Sequence, residues 1–479
     1  MKKLLCVLLT LSLLVCALIL PVDAADQPYP LVIVRGMDFL HGLSYDTGLP
    51  TQREAALSLD AKGVIRTLFT AFGKLVTGGK RAAVGEILDY AVEALSVYRM
   101  TPDGDPADPN VASEYFTESA AAYPEMLTWR GSNEEGLLQS SIERYGAGNV
   151  YFFKYDWRLD ARENAAYLSE LIETACAEHG TDKVDLVCCS MGGIVTLTYM
   201  NDFGVDRLDS VVSDSSTMGG TAVTTELMEK KVYFDEGAAL RFLQSKLPRF
   251  GFVWRTAAKT GLLRGVVNFL NRFAADNLDE IYDEVLTPTF GSMPAVWELV
   301  QPDEYETAKA ILFGDKRGDY AGLLAKTDAV QREVVSRRVE LLQSAMDAGV
   351  KLTFIAGYNT PLTPAYEGGK YQGDGTLETR WMSLGALTSE IGSELSDAEK
   401  AEGDPKYLSP DGCINASTCA FPDLVWFIKD APHVGCLYGS GYTELIFTLL
   451  EYPAQPDVNT FPAVPQFTWA DGNQDLHAF

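Results

Sequence analysis

Apolar residues recur along the chain in two rhythms. Leu31-Val32-Ile33-Val34, entered from Tyr29-Pro30 and closed by Arg35-Gly36, is an unbroken apolar run. Such a run predicts a strand covered on both faces and ended by a tight turn. Residues 149–154, with Val150, Tyr151, Phe152 and Phe153, predict a second. Over 163–179 the rhythm changes: Tyr167, Leu168, Leu171, Ile172, Ala175 and Cys176 share one helical face, and Gly180 is a natural stop. A strand over 183–188, a helix from Gly192 and a strand over 209–212 follow. This alternation predicts a mostly parallel sheet with helices on both faces.

Outside that block the pattern divides the chain. Thr51-Gln52-Arg53-Glu54 fits a capping box opening a helical region to about Tyr98. Residues 101–110 are a Pro-rich polar loop, whose Asp103, Asp105 and Asp108 suit a solvated turn better than a calcium site. From 220 to 349 the alternation gives way to helical patterns over 240–246, 253–273 and 329–348. This stretch reads as a helical cap on the sheet. The sheet resumes at 351–356 and 424–428, a closing helix is expected at 443–450, and the Pro- and Asp-rich tail from Pro453 is expected along the surface. The expected organisation is thus a leader at 1–24, an α/β core formed by 25–220 and 350–479 with a helical insertion at about 51–98, and a cap at 221–349.

Composition changes this picture in two places. The chain has 479 residues, 47% of them hydrophobic, enough for a large core, and 39 basic against 66 acidic residues leave a net charge of −27. Phosphate backbones need a basic face, so a nucleic-acid partner is not expected. Lys2 and Lys3 precede an apolar run from Leu4 to Leu20, and Val22-Asp23-Ala24 offers a cleavage site. This pattern reads as a secretory signal peptide, with an uncleaved anchor as the rival, and predicts a secreted or cell-envelope protein.

The candidate chemistry centres on Val184-Asp185-Leu186-Val187-Cys188-Cys189-Ser190-Met191-Gly192-Gly193. A buried strand runs straight into a helix with one Ser at the apex, the nucleophile elbow of α/β-hydrolases. Cys188 stands where the first Gly of G-x-S-x-G is usual. The bland alternative is a Ser in an ordinary strand-to-helix turn. A Ser nucleophile needs a base. His41 precedes Ser190, His179 lies in the preceding helix and His477 in the tail, so His433, in a loop after a late strand, is the candidate. The acid belongs between them in the chain, and Gly373-Asp374-Gly375-Thr376 supplies Asp374, with Asp423 and Asp430 as rivals. Its task is to orient the imidazole. The oxyanion hole is expected from the N–H groups of Met191 and Met37. No cofactor or metal is implied.

Tyr155-Asp156-Trp157-Arg158-Leu159, Ser190-Met191-Gly192-Gly193, Gly373-Asp374-Gly375-Thr376 and His433 together resemble the lecithin:cholesterol acyltransferase-like branch of the α/β-hydrolases. The resemblance implies an α/β-hydrolase fold, a Ser190–Asp374–His433 triad and an acyl ester or lipid substrate. It departs at Cys188-Cys189, where Gly-His is usual, and at Arg35, where Pro often precedes the oxyanion Gly. A lipase, esterase or phospholipase acting through an acyl-enzyme is the first reading, and transient contact with a lipid surface fits it. Acyl transfer to an alcohol is the second, and a catalytically dead binding protein on a hydrolase scaffold the third. Leu262, Leu263, Val266, Val267 and Phe269 either cover an acyl pocket or only pack the cap. Asn415-Ala416-Ser417 is a glycosylation sequon. In an exported protein Cys413 and Cys419 are a candidate disulfide. A Cys189–Cys436 bridge, similar to the pairing in tannase-type esterases, is the second; since strand side chains alternate, only one of Cys188 and Cys189 faces Cys436.

Overall fold

Residues 29–39, 43–46, 53–55, 80–128 and 133–479 are described by the structure, a computed structural model. The expected leader and His41 lie outside them. The central sheet has eight strands: β1 (Leu31–Val34), β2 (Val150–Phe153), β3 (Val184–Cys189), β4 (Leu208–Asp214), β5 (Lys351–Tyr358), β6 (Val425–Lys429), β7 (Phe467–Ala470) and β8 (Leu476–Ala478). Their order is β8-β7-β6-β5-β4-β3-β1-β2. Every neighbouring pair is parallel except β7 with β8.

The longer helices used below are α1 (Lys80–Ala94), α2 (Asn133–Tyr145), α3 (Ala161–His179), α4 (Gly192–Phe203), α5 (Glu236–Lys246), α6 (Gly251–Lys259), α7 (Leu262–Asp276), α8 (Arg338–Asp347) and α9 (Gly441–Glu451). The strict alternation of strand side chains divides the core. Val32 and Val34 pack on one face with Leu168 of α3, Leu197 of α4 and Leu342 of α8. Leu31 and Ile33 pack on the other with Leu137 of α2 and Ile446 of α9. With both faces covered, the strands read as apolar runs. Local signals set the helix ends as expected: Asp160 caps α3 by accepting from Arg162 N–H, and Gly180 ends it in the left-handed region at φ 63°.

Three expectations are corrected. Arg53–Ala55 does not open a helix: it is a short strand pairing antiparallel with Ser44–Asp46, which also pairs with Val111–Ala112. Ladder pairing with Tyr45 and Asp46 commits the backbone that a capping box would have used. The 253–273 helix is two helices, because Gly261 at φ 76° breaks it between α6 and α7. The tail is not a surface strap. It adds β7 and β8 to the sheet edge, where Phe467 is buried and its ring stacks on Phe427 at 5.4 Å.

The stretch between β4 and β5 is helical, and its last helix, α8, packs on α4 and leads into β5. In the 101–110 loop, Asp105 pairs with Lys326 at 2.6 Å and Asp108 accepts from Asn110. Among the described residues no cluster of His, Cys, Asp and Glu is placed to hold a metal, and no helix is long and apolar enough to cross a membrane.

Candidate active site

Ser190 stands between the end of β3 and the start of α4, with φ at 52°. A non-glycine residue held there is strained, and such strain persists only where the surroundings over-determine it. They do so here. Ser190 N–H donates to Asp214 C=O at 3.3 Å, and Ser190 C=O accepts from Ser216 Oγ at 2.6 Å and Thr217 N–H at 3.3 Å. Two glycines allow the close approach. A Cβ on Gly192 would lie 2.6 Å from Val34 O, and one on Gly36 would lie 2.5 Å from Ser190 Cβ. The loop after β1 therefore sits directly against the candidate nucleophile.

His433 follows β6 and Asp374 follows β5. His433 Nδ1 and Asp374 Oδ2 are 2.6 Å apart. Asp374 is buried, and its other oxygen accepts from Thr376 N–H at 2.9 Å and Leu377 N–H at 2.8 Å. Gly375 at φ 97° makes the turn that brings those N–H groups round. Thr360 ties this loop to the histidine loop by donating its N–H to Gly373 C=O at 2.9 Å and its hydroxyl to Ala431 C=O at 3.1 Å. Burial opposes a charged imidazole at His433, yet the charge and hydrogen bond of Asp374 outweigh it and raise the pKa above the ordinary value. The rival carboxylates are engaged elsewhere: Asp423 with Tyr407 at 2.7 Å and Asp430 with Asn359 at 2.6 Å. His179 Nε2 lies 3.0 Å from Gly148 C=O, and His477 sits in β8 beside Asp471.

The Met37 and Met191 N–H groups make no backbone hydrogen bond among the described residues. Met37 belongs to the loop that touches Ser190, and Met191 follows Ser190 directly. That loop is held by residues whose role the sequence left open. Trp157 Nε1 donates to Asp38 C=O at 3.1 Å, and Arg35 pairs with Asp38 at 2.7 Å. Arg158 is buried and grips Asp156 through Nε at 2.9 Å while donating to Val97 C=O at 3.0 Å. Trp157 thus braces the loop that carries Met37, while Arg158 ties its own block to Val97. Arg35, where Pro was the usual residue, supplies an ion pair within that loop.

The cysteine expectations are corrected. All six described cysteines are free. Cys188 and Cys189 do face opposite sides, and Cys189 shares its side of the sheet with Cys436. They are not bridged, because the Cys436 thiol is turned to Asp214 Oδ2 at 3.1 Å. Cys413 and Cys419 are unbridged as well. The Cys413 sulfur lies 3.5 Å from Ser393 O, while burial pushes the Cys419 thiol up to about 12. The sequon is closed: Asn415 is buried and its Nδ2 donates to Glu399 C=O at 2.8 Å and Glu402 C=O at 2.7 Å.

Asp214 is the residue that sequence reasoning missed. It ends β4, is wholly buried, and accepts from Tyr442 OH at 2.6 Å as well as from Cys436. Burial raises its pKa, against the pull of those two donors. An acid two residues beyond Val211-Val212, at the end of the strand expected over 209–212, was the available signal.

The sequence of residues 112–227 matches the family Lecithin:cholesterol acyltransferase. That block holds Tyr155 to Leu159 and Ser190, and it ends before Asp374 and His433. No curated protein matches the chain in sequence. Among solved structures, the crystal structure of the Tle4-Tli4 complex is similar at 12% identity and a TM-score of 0.35, covering 88% of this chain and 98% of that one. The family match over residues 112–227 and the eight-stranded, mostly parallel sheet agree with the resemblance to the lecithin:cholesterol acyltransferase-like branch read from the motifs.

Proposed function

We propose that the protein is a serine hydrolase of acyl esters, lipid-like in their acyl part, working through Ser190, His433 and Asp374. The observation that carries the reading is the 2.6 Å contact between His433 Nδ1 and Asp374 Oδ2, on loops after β6 and β5, the third and second strands from β3, which leads into Ser190. A carboxylate on Nδ1 holds the proton there and leaves Nε2 as the base. Ser190 Oγ attacks the ester carbonyl carbon and its proton passes to His433 Nε2. The carbonyl oxygen becomes an oxyanion, which the Met37 and Met191 N–H groups stabilise. As the intermediate collapses, the carbon–oxygen bond to the alcohol breaks and His433 returns its proton to that alcohol. Water then attacks the acyl-enzyme, losing its proton to His433, and the acid leaves with Ser190 restored.

An alcohol in place of water gives acyl transfer with the same residues, and the family description favours keeping that second reading. Residues 221–349 act as the cap over the site, and residues 1–24 as the leader of an exported protein. Labelling by an organophosphonate tests the reading. A phosphonylated peptide containing Ser190 is expected, and its absence from a folded protein would remove both the hydrolase and the transferase. Product analysis with and without added alcohol separates those two. N-terminal sequencing of protein recovered outside the cell checks cleavage after Ala24.

A further inference from the structure

We propose that the outer face of α6 and α7 docks on an anionic lipid bilayer. Helices α5, α6 and α7 pack on one another around Ala239, Leu263 and Val267. That contact uses one side of α7. A second apolar stripe, Leu262, Val266 and Phe269, recurs at spacings of four and three, so it lies on one face of the same helix. These residues are 64%, 48% and 58% exposed. Of the five cap residues expected to cover a pocket or pack the cap, two therefore pack and three face solvent. Phe252 on α6 is the most exposed, at 76%. Large apolar side chains grouped in the open like this on a folded chain mark an interaction site.

The charge around it narrows the partner. Between Gly237 and Ala275 the chain has seven Lys and Arg and no Asp or Glu. The other residues carry 32 basic and 66 acidic groups, so this patch is positive on a strongly negative protein. On α6, Phe252, Arg255 and Lys259 stand at i, i+3 and i+7, which sets an aromatic ring and two cations on one face. Arg272 flanks the stripe on α7 and is exposed, as are Lys246 and Arg249. In this stretch the ion pair among the described residues is Arg264 with Glu236. Apolar side chains that enter the headgroup boundary, rimmed by cations that meet lipid phosphates, are the make-up of a helix lying in a membrane interface. A second copy of this chain fits less well, because a symmetric contact would set one basic face against another.

The proposal stands on exposure and charge and does not depend on the hydrolase reading. Flotation with vesicles tests it, using the full chain with phosphatidylcholine alone or mixed with phosphatidylglycerol. Binding is expected to be about tenfold tighter or more on the anionic vesicles and to weaken as salt is raised. Two double variants, Phe252→Ser with Phe269→Ser and Arg255→Glu with Lys259→Glu, should each lower that binding by about tenfold or more. All four positions are exposed, so thermal unfolding and turnover of a soluble short-chain ester should not move. Equal binding to both vesicles, no vesicle binding, or self-association that the same variants abolish would each overturn the proposal. If ester turnover proved absent altogether, flotation would still report on this surface, so the two readings fail separately.

Discussion

The thiol of Cys436 donates to the carboxyl of Asp214 at 3.1 Å, three residues beyond His433. Asp214 also accepts Ser190 N–H through its backbone carbonyl. One buried residue therefore links the elbow to the histidine loop, where a disulfide had been expected to do so. Under non-reducing denaturation, Cys189 and Cys436 should both be alkylated as single thiols. A cross-linked peptide containing the two would sink this account. Cys436→Ala leaves the buried carboxyl short of a donor and should cost about 1–3 kcal/mol in thermal or denaturant unfolding.

Ser190→Ala should lower ester turnover by about 10⁶ with the unfolding midpoint nearly unchanged. Retention of more than a per cent or so of activity would show that another group attacks the ester.

The pH profile follows from the sign of the shift at His433. Its pKa is raised, chiefly by Asp374 working against burial, so the imidazole stays protonated to a higher pH than usual. Only the neutral form accepts the proton of Ser190. The acid limb of kcat/KM should therefore lie above about 6.5. Asp374→Asn removes the largest raising cause and leaves burial against the weaker pull of Glu134 and Asp214, so the limb should move down while kcat falls by about 10⁴. A limb that stays put in Asp374→Asn would mean that Asp374 does not face the base.

Trp157 positions the loop bearing Met37 through its N–H to Asp38 C=O. Trp157→Phe keeps the ring and loses that bond. A full oxyanion donor is worth about 10²–10³ in kcat, so loosening one should cost about tenfold in kcat with KM nearly constant. A change confined to KM would place Trp157 in substrate binding instead.

Arg158 and Asp156 form a buried pair at 2.6 Å. Arg158→Met leaves the carboxylate buried without its partner and should destabilise the protein by about 3–5 kcal/mol, read by denaturant unfolding. A loss below about 1 kcal/mol would mean that water reaches Asp156 readily.

Much of this protein was legible along the chain. Apolar runs in β1, β2 and β6, and shorter ones within β3 to β5, marked these strands because strands covered on both faces have little polar side to display. Ser190, Asp374 and His433 were legible because each carries local punctuation: an apolar strand before the Ser, two glycines around the Asp, and a strand before the His. What the chain could not announce depended on partners far away in sequence. Phe467 to Ala470 reads as part of a polar tail until β6 offers an edge to pair with. Arg53 and Glu54 read as a helix start until Ser44–Asp46 lies beside them. Cys436 looked like half of a bridge until Asp214, 222 residues away in sequence, took its thiol. The α/β-hydrolase architecture and the candidate triad followed from local pattern and chain order. The brace of Trp157 on Asp38, the link through Asp214, and which apolar residues of α7 face solvent were decided by tertiary packing, because a hydrogen bond or a buried face exists only once distant segments meet.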